Sequence, residues 1–140
     1  MDWLTLRIKR AGPRDGPSVL VVEDEQSMRD FLKRTLTTLG YNLLVAPDSE
    51  SALRLLSEQP QVALLDVHLP GASGLWLADQ IRDLSPTTAI ILVTGDSRVA
   101  PTESLRPQVV GYILKPFAIE KLRETVAAGV LWSEGRRRKR

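Results

Sequence analysis

Cysteine is absent from these 140 residues, so neither a disulfide framework nor a thiolate metal site can hold the fold together. Long apolar runs are missing too: no stretch approaches the ~20 residues that span a bilayer. The amino-terminal Met1-Asp2-Trp3 is followed by its basic residues only after a short apolar stretch, which is not the order of a secretory signal. A chain of this kind is expected to be cytoplasmic, with no membrane segment. Internal repeats and low-complexity segments are also lacking, apart from a basic run at residues 136–140.

A strong overall charge is lacking as well, but the net +2 is unevenly spread. Residues 18–135 hold 10 Lys/Arg against 15 Asp/Glu, so the high isoelectric point of 9.2 belongs to the ends of the chain. Direct nucleic-acid binding by the body is therefore not expected, although the basic run could touch nucleic acid or an acidic partner. The composition divides the chain in three. Residues 1–17 form an extension and linker, in which residues 3–8 alternate like a short strand before Gly12, Pro13, Gly16 and Pro17. This segment reads either as a loosely docked extension or as an added edge strand or partner-binding arm. Residues 18–134 form one domain, and residues 135–140 a basic tail.

With 43 % hydrophobic residues the body can build a full core, and its pattern alternates strand and helix. All-apolar or nearly all-apolar runs at residues 19–23, 41–46, 62–66, 88–94 and 109–114 read as strands. Between them, stripes such as Met28-Phe31-Leu32-Leu36-Leu39 and Leu77-Ala78-Ile81-Leu84 read as helices. Gly40 is a C-terminal stop for the first, and Asp48 or Ser49 caps the second. Pro101 and Pro107 leave space for only a short or irregular helix in residues 97–108. The last helix spans residues 118–132, and Ala127, Ala128, Leu131 and Trp132 extend its apolar surface beyond the core stripe. That surplus is open to two readings: packing of Trp132 on the body, or a homodimer contact or helical linker. Five such units predict a doubly wound α/β sheet with helices on both faces.

Four of the strands end in chemistry. The runs close on Glu23-Asp24, on Asp66, on Thr94 and on Lys115. A parallel sheet gathers those ends at one rim, where ligands of open α/β sheets bind. A carboxylate at the end of a buried strand is costly unless something binds it. Three carboxylates, a hydroxyl and an ammonium together suit a Mg²⁺-assisted phosphoryl acceptor.

The segments VLVVEDE, LLDVHLPGASG, IILVTGD and GYILKPF, in this order and spacing over about residues 18–132, resemble the receiver domain of bacterial response regulators. The resemblance implies a five-stranded parallel sheet in the flavodoxin-like order 2-1-3-4-5. It implies a phosphorelay switch: Asp66 accepts a phosphoryl group from a sensor histidine kinase or phosphotransfer protein. Asp24 and Asp66 would ligate Mg²⁺ directly, together with the backbone carbonyl of His68, and Glu23 through a water. Thr94 and Lys115 would each meet a phosphoryl oxygen. Thr94 and Tyr112 would form the switch pair, and Pro116 would follow a cis peptide bond. Such a domain catalyses only its own phosphorylation and dephosphorylation, and it controls a downstream protein partner or an effector domain outside this chain.

Residue by residue, plainer readings compete. Thr94 and Lys115 could be an ordinary hydroxyl and a solvated strand terminus, Tyr112 a half-buried strand aromatic, and Glu23-Asp24-Glu25 a charge cluster favoured by a helix dipole. Only the joint spacing with Asp66 favours the site. His68 and Asp96 sit where the family tunes the lifetime of its phosphate. The stretch Gln108-Val109-Val110-Gly111 departs from the usual Gly-Ala ahead of the aromatic residue. A pseudo-receiver binding module is the competing function. A flavin carrier or an aspartyl hydrolase fits less well, because the acidic first loop repels phosphate and no lid segment is present.

Overall fold

Stiff β-branched and leucine runs, buried on both faces, become the strands of one sheet. A computed structural model describes residues 10–11, 16–98 and 106–139. The strands are β1 (Arg10–Ala11), β2 (Ser18–Val22), β3 (Asn42–Ala46), β4 (Val62–Asp66), β5 (Ala89–Thr94) and β6 (Val109–Leu114), in the order β1-β3-β2-β4-β5-β6. The five long strands are all parallel, and counted alone they run 2-1-3-4-5 as expected. The two-residue β1 adds antiparallel to the β3 edge, pairing Arg10 with Leu44 and Ala11 with Leu43. The strand expected at residues 3–8 lies outside the described residues.

Helices α1 (Gln26–Thr38), α2 (Ser49–Leu55), α3 (Gly74–Leu84) and α4 (Ile119–Arg138) cover both faces, and a single 3₁₀ turn, Leu56–Glu58, follows α2. Alternate strand residues feed two cores. Val19, Val21, Leu64, Ile91 and Val93 meet Leu32 and Leu36 of α1 and Leu122 and Val126 of α4. Leu20, Val22, Leu65, Ile90 and Leu92 meet Ala52 of α2 and Leu77 and Ile81 of α3. Helix entries are capped locally: Asp48 accepts the Ser51 N–H at 2.8 Å, and Ser73 accepts the Trp76 N–H at 3.2 Å. Gly40, at φ +98°, allows the reversal after α1.

Three expectations need revision or fall out of view. The last helix does not stop near residue 132 but continues to Arg138, so the basic run begins inside it. Polar tethers, rather than an apolar stripe, hold the extra turns. Buried Ser133 donates to the Thr87 carbonyl at 2.6 Å, and Arg137 donates to Ser133 Oγ at 3.1 Å and to the Gln59 carbonyl at 2.8 Å. The odd stretch before Tyr112 proves to be a bulge: Ile90 pairs with Val109 but Ile91 with Gly111, leaving Val110 as the extra residue. Of residues 97–108, where the short or irregular helix was expected, 99–105 lie outside the described residues.

Two glycines are fixed by close approach. A Cβ on Gly111 would stand 2.3 Å from Thr125 Cγ2 of α4, and one on Gly74 would stand 2.1 Å from the backbone oxygen of Asp66. Gly74 thus lets α3 start directly against the end of β4, where its N–H donates to the Val67 carbonyl at 2.9 Å. Gly111→Ala is expected to lower unfolding free energy by about 1–3 kcal/mol, the scale of overpacking. Adding Thr125→Ser should recover most of that loss. Gly74→Ala should cost more than Gly111→Ala in the same urea denaturation, because backbone rather than a side-chain methyl stands in the way. Equal losses would refute the close approach at Asp66.

Candidate functional site at the carboxyl ends of the strands

Register alone brings the polar strand ends together. Val22 pairs with Leu65, Asp66 with Val93, and Thr94 with Leu114, so Glu23, Asp66, Thr94 and Lys115 all fall at one rim. The strand order reverses between β2 and β4, and Glu23-Asp24 and Asp66 sit on the two sides of that reversal. Glu23 and Asp66 are buried at 2 % and 8 % exposure, Thr94 is fully buried, and Asp24 is exposed.

The carboxylates of Glu23, Asp24 and Asp66 each offer an oxygen within 4.8 Å of the others. Lys115 Nζ lies between two of them, donating to Glu23 Oε1 at 2.5 Å and to Asp66 Oδ2 at 3.2 Å. Burial alone would push this ammonium down. The Glu23 hydrogen bond and the charges of Asp66 and Glu23 outweigh it and hold Lys115 above its ordinary value. An all-oxygen, acidic donor set suits a hard divalent cation such as Mg²⁺, and a soft metal poorly.

Neighbouring backbone holds these groups in place. The free oxygen of Asp66, Oδ1, accepts the His68 N–H at 3.0 Å, and Glu23 Oε2 accepts the Glu25 N–H at 3.3 Å. Thr94 Oγ1 accepts the Asp96 N–H at 3.1 Å, while its carbonyl accepts the Lys115 N–H at 2.8 Å. The Lys115–Pro116 peptide bond is cis. The His68 side chain leaves the acidic cluster and meets Asp96, Nε2 to Oδ2, at 3.2 Å. Arg98 donates to both oxygens of Asp96, at 2.9 and 3.1 Å, and holds that carboxyl down at about 2. Tyr112 stands further back: it pairs with Leu92 in the sheet and packs, half-buried, on the core shared with α2 and α3.

Two contributors escaped the sequence reading. Arg29 of α1 donates from one nitrogen to the carbonyls of Glu23 and Asp24, each at 2.9 Å, and so pins the acidic turn. No periodicity marks it, since it sits on the helix like any solvated arginine. Gly74 was visible within LLDVHLPGASG but carries no side chain to suggest a role. Its clash distance reveals it only in three dimensions.

Comparison with known proteins agrees with this architecture. The family model of the response regulator receiver domain matches residues 19–127. The uncharacterized transcriptional regulatory protein YrkP of Bacillus subtilis is 36 % identical over 110 residues, which make up 79 % of this chain and 48 % of that protein. The chain spans about half the length of the curated relatives it matches. A CheY-like receiver domain protein from Methanospirillum hungatei superimposes with a TM-score of 0.80 at 26 % identity, covering 87 % of this chain and 99 % of that one. Response regulator TrrA of Thermotoga maritima, solved in complex with Mg²⁺ and BeF, gives 0.73 at 33 % identity over 81 % of this chain and 98 % of its own. Fold, strand-end chemistry and family match converge, and the chain belongs to the response regulator receiver domain family of two-component signalling.

Proposed function

We propose that Asp66 is the phosphoacceptor of this receiver domain. The observation that carries this reading is the cluster of three carboxylates within 4.8 Å, with the Lys115 ammonium between two of them. In the reaction a carboxylate oxygen of Asp66 attacks the phosphorus of a phosphohistidine or small phosphodonor. The new P–O bond forms as the donor's P–N or P–O bond breaks. A carboxylate is already ionised and needs no general base. Asp24, Asp66, the His68 carbonyl and, through a water, Glu23 would hold Mg²⁺, which supplies neutralisation of charge on the transferring group. Lys115 is placed to follow the charge, exchanging its Asp66 contact for a phosphoryl oxygen. The chain acts on itself, in phosphorylation and dephosphorylation, rather than on a separate substrate.

The switch follows from what Thr94 must give up. Its hydroxyl oxygen is engaged by the Asp96 N–H, and turning toward a phosphoryl group breaks that bond. Tyr112, on the same side of the sheet as the α2/α3 core, would then move inward, a population shift on the usual allosteric scale of about 1–3 kcal/mol. The upstream partner is a sensor histidine kinase or phosphotransfer protein. The downstream one is a protein or effector domain beyond these residues, or a second copy of this chain. Direct nucleic-acid contact is not part of the reading, and the setting is cytoplasmic. Among the described residues no helix is long and apolar enough to cross a membrane.

Incubation with acetyl phosphate or phosphoramidate should add one phosphoryl group to the intact mass, only with Mg²⁺ present and only while Asp66 is intact. Full labelling of Asp66→Asn would identify another acceptor. In a separate Mg²⁺ titration followed by amide chemical shifts, Asp24→Asn should weaken binding by roughly tenfold or more. Unchanged affinity would remove Asp24 from the ligand set.

A further inference from the structure

The amino ends of the strands hold a polar cavity of their own, at the opposite end of the sheet from the acidic rim. Register sets Asn42, the first residue of β3, beside Ser18 of β2. Gln61, just ahead of β4, lies on the other side of Ser18, and its N–H donates to the Ser18 carbonyl at 2.9 Å and hydroxyl at 3.2 Å. Against this row lies a cavity of about 370 Å³, walled further by Glu58 of the 3₁₀ turn and by Glu134 and Arg137 of α4. Buried polar groups nearly always find a hydrogen-bond partner. Among the described residues three buried side-chain oxygens have none, and two of them, Asn42 Oδ1 and Gln61 Oε1, belong to residues of this cavity. Asn42 is only 5 % exposed, so its amide is withdrawn from bulk water. An amide oxygen held there is an acceptor ready for a donor.

The charges of the wall select the visitor. Glu58 and Glu134 set two carboxylates against one guanidinium, and that guanidinium is turned to neutral oxygens. Arg137 donates to Ser133 Oγ at 3.1 Å and to the carbonyls of Gln59 and Pro60 at 2.8 and 3.4 Å. Acceptors and negative charge are therefore in surplus. An anion would be repelled, and a cavity of this volume is far wider than the about 2–2.6 Å shell that oxygen ligands close around Mg²⁺ or Ca²⁺. We propose that this cavity binds a small organic cation rich in N–H donors, an alkylguanidinium or alkylammonium. Its N–H groups donate to Asn42 Oδ1 and Gln61 Oε1, and Glu58 and Glu134 balance its charge. Asn42 and Gln61 belong to the sheet, Glu134 and Arg137 to the last turns of α4, so the bound cation fastens the end of that helix to the body. Gln61 stands five residues before Asp66, about 17 Å at the rise of a strand. The site thus shares no group with the acidic rim and stands independently of the phosphoacceptor reading.

Titration of the full chain with agmatine, which carries a guanidinium and an ammonium on a butyl chain, tests this when followed by amide chemical shifts at constant ionic strength. Saturable shifts are expected at residues 16–18, 42, 58–61 and 134–137 and at the side-chain amides of Asn42 and Gln61. The affinity should be the same in Asp66→Asn, and acetate should produce none of these shifts. Glu134→Gln should weaken agmatine binding by about tenfold, the scale of one charged hydrogen bond, and Glu134→Arg by more. Asn42→Asp, nearly isosteric, places a carboxylate at the amide position and should tighten binding by about tenfold. Should that chain fold poorly, the Glu134 variants decide alone, since Glu134 is only partly buried. The proposal is overturned by the absence of saturable shifts, by shifts confined to the acidic rim, or by an equal response to acetate. An affinity unmoved by both Glu134 substitutions, or saturation of the same residues by Ca²⁺ and not by agmatine, would overturn it too. A blocked arginine tripeptide that binds more tightly than agmatine would refute the small molecule and make the cation a side chain of a partner protein.

Discussion

Glu23 and Asp66 are withdrawn from water at the end of the sheet, and Lys115 is the cation that makes their proximity tolerable. Buried charges cost several kcal/mol each unless they are paired, and removing one member leaves the others uncompensated. The rim is therefore a closed electrostatic system: a negative group can enter only if positive charge arrives with it or is redistributed. A divalent cation and a phosphoryl group are complementary in this sense. One relieves the crowding of carboxylates, and the other gives the ammonium a new partner.

The rest of the fold keeps that system in place. Two apolar cores clamp the parallel strands from both sides, so the register that aligns Asp66 with Val93 and Thr94 with Leu114 has no slack. The loops beyond the strand ends are held by backbone contacts as well as by packing of Val67, Leu69 and Phe117 on the cores. Arg29 ties the acidic turn, Gly74 brings α3 up against the Asp66 carbonyl, and the Asp96 N–H orients the Thr94 hydroxyl.

Much of this was legible in the sequence, for a definite reason. Runs such as Val62-Ala63-Leu64-Leu65 and Ile90-Ile91-Leu92-Val93 can only be buried strands in a chain of this length. A charged or hydroxyl residue at the end of each is a sharp break in an otherwise apolar pattern. What stayed hidden depends on contacts between residues distant in the chain. The last helix was read too short because Ser133 and Arg137 look like surface residues, yet the carbonyls of Thr87 and Gln59 hold them on the body. The extra residue at Val110 was noticed only as a departure from pattern, since the bulge is defined by its partner Ile90–Ile91 and not by its own composition. Arg29 gave no signal, and Gly74, though inside a recognisable segment, gave no hint of its role, because their work is done on backbone atoms.

The bulge at Val110 has a consequence for how this chain can vary. It lies at the far end of β6 from Lys115, and beyond it the pairing of Gly111 with Ile91 through to Leu114 with Thr94 is regular. Length added or lost before Val110 is absorbed there and does not travel down the strand. The connection leading into β6 can thus lengthen, shorten or change its shape over evolutionary time, while the reach of the ammonium toward Glu23 and Asp66 stays constant.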